Sequence, residues 1–380
     1  MKYPAWALNT ISRNLNFVDS MKLIIDPRFF YDIRVVHLQR QVNDAQAEYF
    51  LKFLKPLSEN IGFWICYSVD DVIKYEDIPK YNFAREVYNN KQFFANVQNM
   101  LQATDFLIVT TDILKQYYVD NYGIQENKVV VIPNYLPRWW VGEIYDIAKQ
   151  KASYSSNRNK PRIGIPLSSS HYDVKGINDW KDDLTGINNF IRNTTDKYQW
   201  VFMGHVPKKL EDLAKDGKIE VIPGSDLLNY PRELWQRGRF QAIVTPLEDN
   251  IFNRCKSNIK LIEGWSLGIP VIAQDLPCYS KYTDCTFKDE NELQNQLDRV
   301  LGSKARYTKM IEHNRNIVDH GDEHAPNGWW LEKNLKRWYQ MYTLPQRTIK
   351  INLQQIEEAA KKKNPTDNLP KGGLEVDLSI

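Results

Sequence analysis

The chain has 380 residues, 42% hydrophobic and 26% charged, with a formal net charge of +3 at pH 7. That length exceeds a usual single core, so two domains and an extra segment are expected, and the mild positive charge permits a polyanionic partner without demanding one. No apolar run approaches the roughly 20 residues of a membrane span, and Cys66, Cys255, Cys278 and Cys285 show no CxxC spacing, so neither membrane insertion nor a disulfide scaffold is expected. The stretch after Met1 lacks the basic-then-apolar run of a secretory signal, and the expectation is a soluble protein with free thiols in a reducing cytoplasm. The 11 Trp and 21 Tyr serve either core packing or flat-ligand and sugar sites.

The first thirty residues, with Arg13, Arg28, Phe29 and Phe30, follow no regular pattern. Beyond them short apolar runs recur: DIRVVHL at 32–38, GFWICYSV at 62–69, DFLIVTT at 105–111 and KVVVIPN at 128–134. Runs without a polar face mark parallel strands covered on both sides. AQAEYFLKFLKPL and the segment from Phe93 to Leu101 carry helical apolar spacing, so residues 1–150 are expected to form a first α/β domain. The polar stretch at 151–160 suits a linker. A second series follows, with PRIGIPL at 161–167, YQWVFMG at 198–204, KIEVIPG at 218–224, FQAIVTPL at 240–247 and IPVIAQ at 269–274. It predicts a second Rossmann-like domain over 161–325. APNGWWLEKNLKRWYQMY at 325–342 reads as an amphipathic terminal helix, and residues 345–380 lose the rhythm of regular structure, as a mobile tail or docking arm does.

FNRCKSNIKLIEGWSLGIPVIA at 252–273 carries the chemistry. With a helix starting near Ser257, Lys256, Lys260 and Glu263 fall at i, i+4 and i+7 on one stripe, while Ile259, Ile262 and Ser266 form an apolar one. A helix start presents unpaired N–H groups and a positive dipole end, which favour phosphate. Lys256, Ser257 and Lys260 add charge and a hydroxyl there, and Glu263 is placed to accept from ribose hydroxyls. The alternative is a solvated Lys260–Glu263 pair at i, i+3, worth about a few tenths of a kcal/mol.

This stretch resembles the donor-site helix of GT-B glycosyltransferases, in which a Glu, a small-residue helix end and Gly-x-Pro-Val-Ile-Ala follow one another. Here these are Glu263, Trp265 to Leu267, and GIPVIA at 268–273. The resemblance covers roughly residues 30–342. It implies an α/β protein of GT-B fold, two Rossmann-like domains facing a central cleft, with a helix at 326–344 crossing back to the first domain. It further implies a nucleoside diphosphate sugar, a UDP-sugar first of all, bound without an obligate metal or other cofactor, with ribose on Glu263. The first domain would take the acceptor. Many retaining members carry a second Glu eight positions earlier, where Cys255 stands here, which leaves the stereochemical outcome open. The FNxxKSxxKxxE form, with Asn253, Lys256 and Ser257, resembles a subset among phage and bacterial enzymes.

In LSSSHYDVKG at 167–176, after the first strand of the second domain, Ser170 and His171 offer donors to a diphosphate and Lys175 a charge, against the alternative of a plain turn. Gly204, His205, Pro223 and Gly224 end strands where a base edge would sit in this fold. Asp70 and Asp71 in YSVDDV close a buried strand at the cleft edge, where one carboxylate can take an acceptor's proton and the other cap a turn. That short motif resembles one in phage DNA glucosyltransferases, where a cleft Asp serves as base. HLQRQV places Arg40 and Gln41 on the same edge as acceptor contacts, and Asn134 and RWW at 138–140 stand at the interdomain mouth. HGDEH at 320–324 reads as a polar turn and not a metal site. There is no HExxH, Asp-x-Asp, P-loop or GxSxG motif.

Three functions fit. The first is sugar transfer to a hydroxyl acceptor, which is duplex DNA carrying 5-hydroxymethyl pyrimidines in a phage-infected cell or else a glycan or lipid-linked acceptor. The second is a non-catalytic nucleotide-sugar or nucleic-acid binding module, and the third a sugar-nucleotide epimerase. The pairing of a cleft acid with the Lys256 to Glu263 stripe favours the first, since a bare binder needs no cleft acid.

Overall fold

Ten strands form two parallel sheets in a computed structural model that describes residues 24–39, 44–89, 91–150, 160–173, 181–226, 228–345 and 347. In the first sheet β1 (Val35–Gln39), β2 (Trp64–Ser68), β3 (Phe106–Val109) and β4 (Val129–Val131) lie in chain order. Val36 faces Ile65, Tyr67 faces Leu107 and Ile108 faces Val130 across the ladders. In the second, β5 (Arg162–Ile165), β6 (Gln199–Met203), β7 (Glu220–Ile222), β8 (Ala242–Thr245), β9 (Val271–Gln274) and β10 (Thr286–Phe287) take the order β7-β6-β5-β8-β9-β10. Eight of these strands fall inside the apolar runs and β1 overruns its own by one residue, Gln39; β10, with two residues, is too short to give a run of its own.

Both faces of each sheet are covered, which is why the runs are apolar throughout. Ala242 and Val244 enter one cluster with Trp200 and Phe202, while Ile243 between them enters another with Trp265 and Val271. In the first sheet Ile65, Tyr67 and Leu107 pack into a cluster on one face. Cys66 and Ile108 point to the other, where Trp338 and Tyr342 cover them. All four cysteines are buried and free. Among the described residues no helix is long and apolar enough to cross a membrane.

The terminal helix is shorter than its sequence pattern. Residues 325–330 turn through Gly328, which has φ +83°, and Leu136 bridges Trp330 in parallel. Trp329 and Trp330 are both fully buried. Gly328, at a positive φ that a helix does not use, breaks the pattern before the two indoles. Regular helix is confined to Lys336–Tyr342. That helix does cross back to the first sheet, and Arg347 continues the contact by pairing with Asp105. Most of 151–160 and of 345–380 lies outside the described residues.

His37 on β1 fastens this crossing. Its Nδ1 lies 2.7 Å from the Tyr342 hydroxyl, its Nε2 lies 2.9 Å from Ser68 Oγ, and Trp338 stacks on the ring. Burial lowers its pKa from 6.5 to about 4, so the neutral ring is the folded form. A histidine depressed on folding contributes stability that is complete above the unfolded value and lost as pH falls towards the folded one. Unfolding free energy should therefore drop by about 3 kcal/mol as pH falls from 6.5 to about 4. Urea unfolding of the native chain and of His37→Gln across that interval should show this component only in the native chain.

Candidate functional site

The strand order of the second sheet reverses between β5 and β8, and open α/β sheets bind ligands outside the carboxyl ends of such a pair. After β5, Ser168 precedes a 3-10 turn over Ser169–His171, and the hydroxyls of Ser168 and Ser170 lie 2.7 Å apart. After β8, Asn250 caps the short helix Ile251–Arg254 by accepting from Asn253 N at 2.9 Å. Phe252 and Cys255 from this segment are buried in the first sheet's cluster, so the second loop plugs into the other domain.

Asp183 ties these parts together. Its side chain is 1% exposed. Oδ1 accepts from the Tyr81 hydroxyl at 2.6 Å, Asn253 Nδ2 at 2.7 Å and Glu248 N at 2.8 Å; Oδ2 lies 2.7 Å from His171 Nδ1. A buried carboxylate is tolerated only when donors surround it, and here four do, one of them from the first domain. His171 gives Nδ1–H to the carboxylate and keeps Nε2 for a ligand. Burial, then the charge of Lys256, holds its pKa below 6.5 in spite of Asp183, so the ring is neutral near pH 7.

A cavity of about 280 Å³ opens between the domains, lined among others by Asp71, Asn82 and Tyr88 from one side and by Ser170, Phe252 and Lys256 from the other. Lys256 Nζ sits 4.7 Å above the Phe252 ring and makes no ion pair among the described residues. Asp70 is exposed, whereas Asp71 faces the cavity with its carbonyl fixed by the Tyr118 hydroxyl at 2.8 Å. Ser257 Oγ accepts from Asn134 Nδ2 at 2.8 Å, joining the end of β4 to the second domain.

The donor-site helix starts two residues later than its sequence pattern suggests. It spans Ile259–Ser266 with Asn258 at its cap position, so Lys256 and Ser257 lie in the preceding turn and Lys256 shares no helical stripe with Lys260 and Glu263. The physical reason is Asn253. With its amide drawn into the Asp183 network, the short first helix must close and the chain must turn before a second begins. Asn253 itself is fully buried, and its Nδ2 also donates to Glu248 O at 2.9 Å, which puts it behind the cavity as a support.

Lys260 and Glu263 do pair at i, i+3, at 3.0 Å, and the pair is partly buried, the Lys260 side chain 23% and the Glu263 side chain 10% exposed. Lys260 Nζ also donates to the Tyr230 hydroxyl at 2.8 Å, and Tyr230 stacks on Trp140. Burial acts to lower the Lys260 pKa, but Glu263 and Tyr230 outweigh it and hold the ammonium well above its usual range. The helix ends in a left-handed residue: Gly268 has φ +70°, with Gly268 N bonded to Trp265 O and Ile269 N to Gly264 O. Those two bonds satisfy the last carbonyls and turn the chain directly into β9. A Cβ on Gly268 would lie 2.1 Å from the Arg315 guanidinium, and one on Gly264 would lie 2.3 Å from Val271.

Arg40, Gln41 and Lys175 lie outside the described residues. Arg138 and Trp140 belong to the domain packing, Arg138 N donating to Glu332 at 2.9 Å. His320 ends the helix Lys304–His320 and Gly321 opens a loop, as the polar-turn reading expects. Among the described residues no group of three or more His, Cys, Asp or Glu is arranged to hold a metal ion. Sequence reasoning missed Tyr81, Asn82, Asp183 and Tyr230. The adjacent acids Asp182 and Asp183 were the one visible signal, and nothing in their spacing pointed to residue 81.

No protein-family model matches the chain, and no curated protein does. Solved structures do. A glycosyltransferase from Rickettsia africae ESF-5 aligns over 89% of this chain and 86% of its own at 15% identity, with a TM-score of 0.54. Anabaena Alr3699/HepE in complex with UDP and glucose aligns over 84% of this chain and 80% of its own at 10% identity, TM-score 0.54. The same Anabaena protein in complex with UDP-glucose gives 83%, 80%, 10% and 0.51. The chain therefore has the GT-B fold, two Rossmann-like domains facing a cleft.

Removing the Tyr81 hydroxyl deprives a buried charge of one donor across the domain boundary. Tyr81→Phe should lower unfolding free energy by about 2 kcal/mol, read from urea denaturation.

Proposed function

We propose that this protein is a glycosyltransferase that moves a sugar from a nucleoside diphosphate donor, a UDP-sugar, to a hydroxyl acceptor. The observation that carries the reading is the meeting of Ser170 and Lys256 at the β5/β8 switch point with Asp71 across the same cavity. The Anabaena neighbour's complexes with UDP and UDP-glucose support the choice of donor. In this reading residues 161–325 hold the donor and residues 1–150 the acceptor. The diphosphate lies along the Ser168–His171 turn and Lys256, and the ribose hydroxyls reach Glu263, whose charge Lys260 already balances.

The acceptor oxygen attacks the anomeric carbon, the bond from that carbon to the diphosphate oxygen breaks, and the acceptor proton passes to the Asp71 carboxylate. The unpaired Lys256 ammonium and the Ser170 hydroxyl stabilise the charge that develops on the leaving diphosphate. Asp71 is favoured over Asp70 because it alone of the two lines the cavity. The acceptor is tested in two arms: duplex DNA with 5-hydroxymethyl pyrimidines, which the net charge of +3 and the strand-end acids suggest, and glycan or lipid-linked hydroxyls. Four buried free thiols suit work in the reducing cytoplasm, of the host if the chain is phage-encoded.

Incubation with UDP- and GDP-sugars and each acceptor class, read by intact mass, should give one sugar adduct. Saturable UDP-glucose binding with no adduct on any acceptor, and no change in the sugar, would leave a binding module instead. Lys256→Ala should lower kcat by about 100-fold. Glu263→Gln should weaken UDP-glucose binding by about tenfold, and Asp71→Asn should abolish transfer with donor affinity kept. Unchanged donor affinity in Glu263→Gln removes it from the donor site.

His171 adds a pH signature. A diphosphate brought beside it favours the protonated ring, so binding takes up a proton. UDP-glucose, whose diphosphate does not titrate in this range, should bind more tightly as pH falls through 6.5 and below, the interval opened by the depressed pKa of the free protein. Calorimetric titration should show that slope in the native chain and a flatter one in His171→Gln.

A further inference from the structure

A second cavity, of about 600 Å³, lies on the second domain between the helix Lys304–His320, the end of the donor-site helix and the turn at 282–285. Arg306, Lys309 and His313 line it. They fall at i, i+3 and i+7, one face of one helix, and all three are exposed. None of them makes an ion pair among the described residues. The one carboxylate in the lining, Asp284, is already held by Arg299 at 2.8 Å. Positive charge is therefore gathered at the mouth without compensation, an arrangement that repels itself unless an anion joins it.

The floor is of a different chemistry. Tyr282, Met310 and Ile317 supply apolar surface, while Trp265, 2% exposed, adds almost none. Asn314, only 9% exposed, also lines the cavity, and its amide has no hydrogen-bond partner among the described residues. Trp265 is 2% exposed, and its indole N–H likewise has none. Neither group is a buried unsatisfied one, so solvent reaches both, and a ligand in the recess can take the place of that solvent. The volume lies within the range of small-molecule sites, which combine an apolar lining with a few placed polar groups.

We propose that this cavity is a second ligand site, separate from the interdomain cleft, for a phosphorylated small molecule with an aromatic or apolar body. The phosphate meets Arg306, Lys309 and His313 at the mouth. The body lies on Tyr282 and Met310, with Asn314 hydrogen-bonding its polar atoms.

Phenyl phosphate, inorganic phosphate and phenol are the probes, titrated calorimetrically into the full chain with and without saturating UDP-glucose. Phenyl phosphate should bind at one site whose affinity UDP-glucose does not abolish, at least about tenfold more tightly than either fragment. Arg306→Ala with Lys309→Ala should weaken it by about tenfold or more while UDP-glucose affinity stays the same. Both residues are exposed, so the double variant keeps the fold, which the unchanged donor affinity or, if the donor reading fails, an unchanged urea midpoint verifies. Equal affinity for phenyl phosphate and phosphate, full competition by UDP-glucose, or unchanged binding in the double variant overturns the proposal.

Discussion

A single buried carboxylate organises the centre of this molecule. Asp183 has almost no contact with solvent, and a charge in that position demands donors from every side. They come from the loop after β5, the loop after β8 and the segment following β2, so satisfying Asp183 brings three chain regions to one point. The link from Tyr81 makes the closed arrangement of the domains part of that satisfaction. Drawing the domains apart at this point would strip a donor from a charge that water reaches poorly, and motion between them is restrained accordingly.

The same network explains the local geometry of the cleft. Asn253 is held by Asp183, which closes the helix Ile251–Arg254 after one turn and leaves Lys256 and Ser257 in a bend. The next helix is pressed against β9 by Gly264 and terminated by Gly268, at positions where a methyl group would collide with Val271 and Arg315. Tight packing at its far end fixes where its near end lies. Lys260 and Glu263 are thus presented beside the β5 turn by backbone constraints as much as by their own pairing.

Much of the architecture was legible because burial on both faces leaves an unbroken apolar signature, and nine strands carry it. The terminal segment misled for an instructive reason. Trp329, Trp330, Trp338 and Tyr342 give a spacing compatible with a helix, yet the chain turns through Gly328 at positive φ and is helical only from Lys336. In the candidate site, Ser170 and Asp71 were read from strand ends and Lys256 from a helix start, and the structure brings the three to one cavity. Asp183 and Tyr81 were not, because their meaning lies in a contact across 102 residues. Asn253 was readable as important but not as buried, since a motif does not say which way an amide faces.

The two lysines of the donor segment show why charge must be counted after pairing. Lys260 is enclosed by Glu263 and Tyr230, and its positive charge cancels an acid that would otherwise repel a diphosphate. Lys256, four residues earlier, rests on an aromatic ring with no ion-pair partner among the described residues, and its charge adds to burial in depressing the proton affinity of His171. The His171 imidazole is kept neutral by burial first and by the Lys256 charge second, and an anion beside both would favour its protonated form. The sequence pattern treats the lysines as equivalent members of one stripe. The fold separates them into one that neutralises Glu263 and one that makes no ion pair among the described residues.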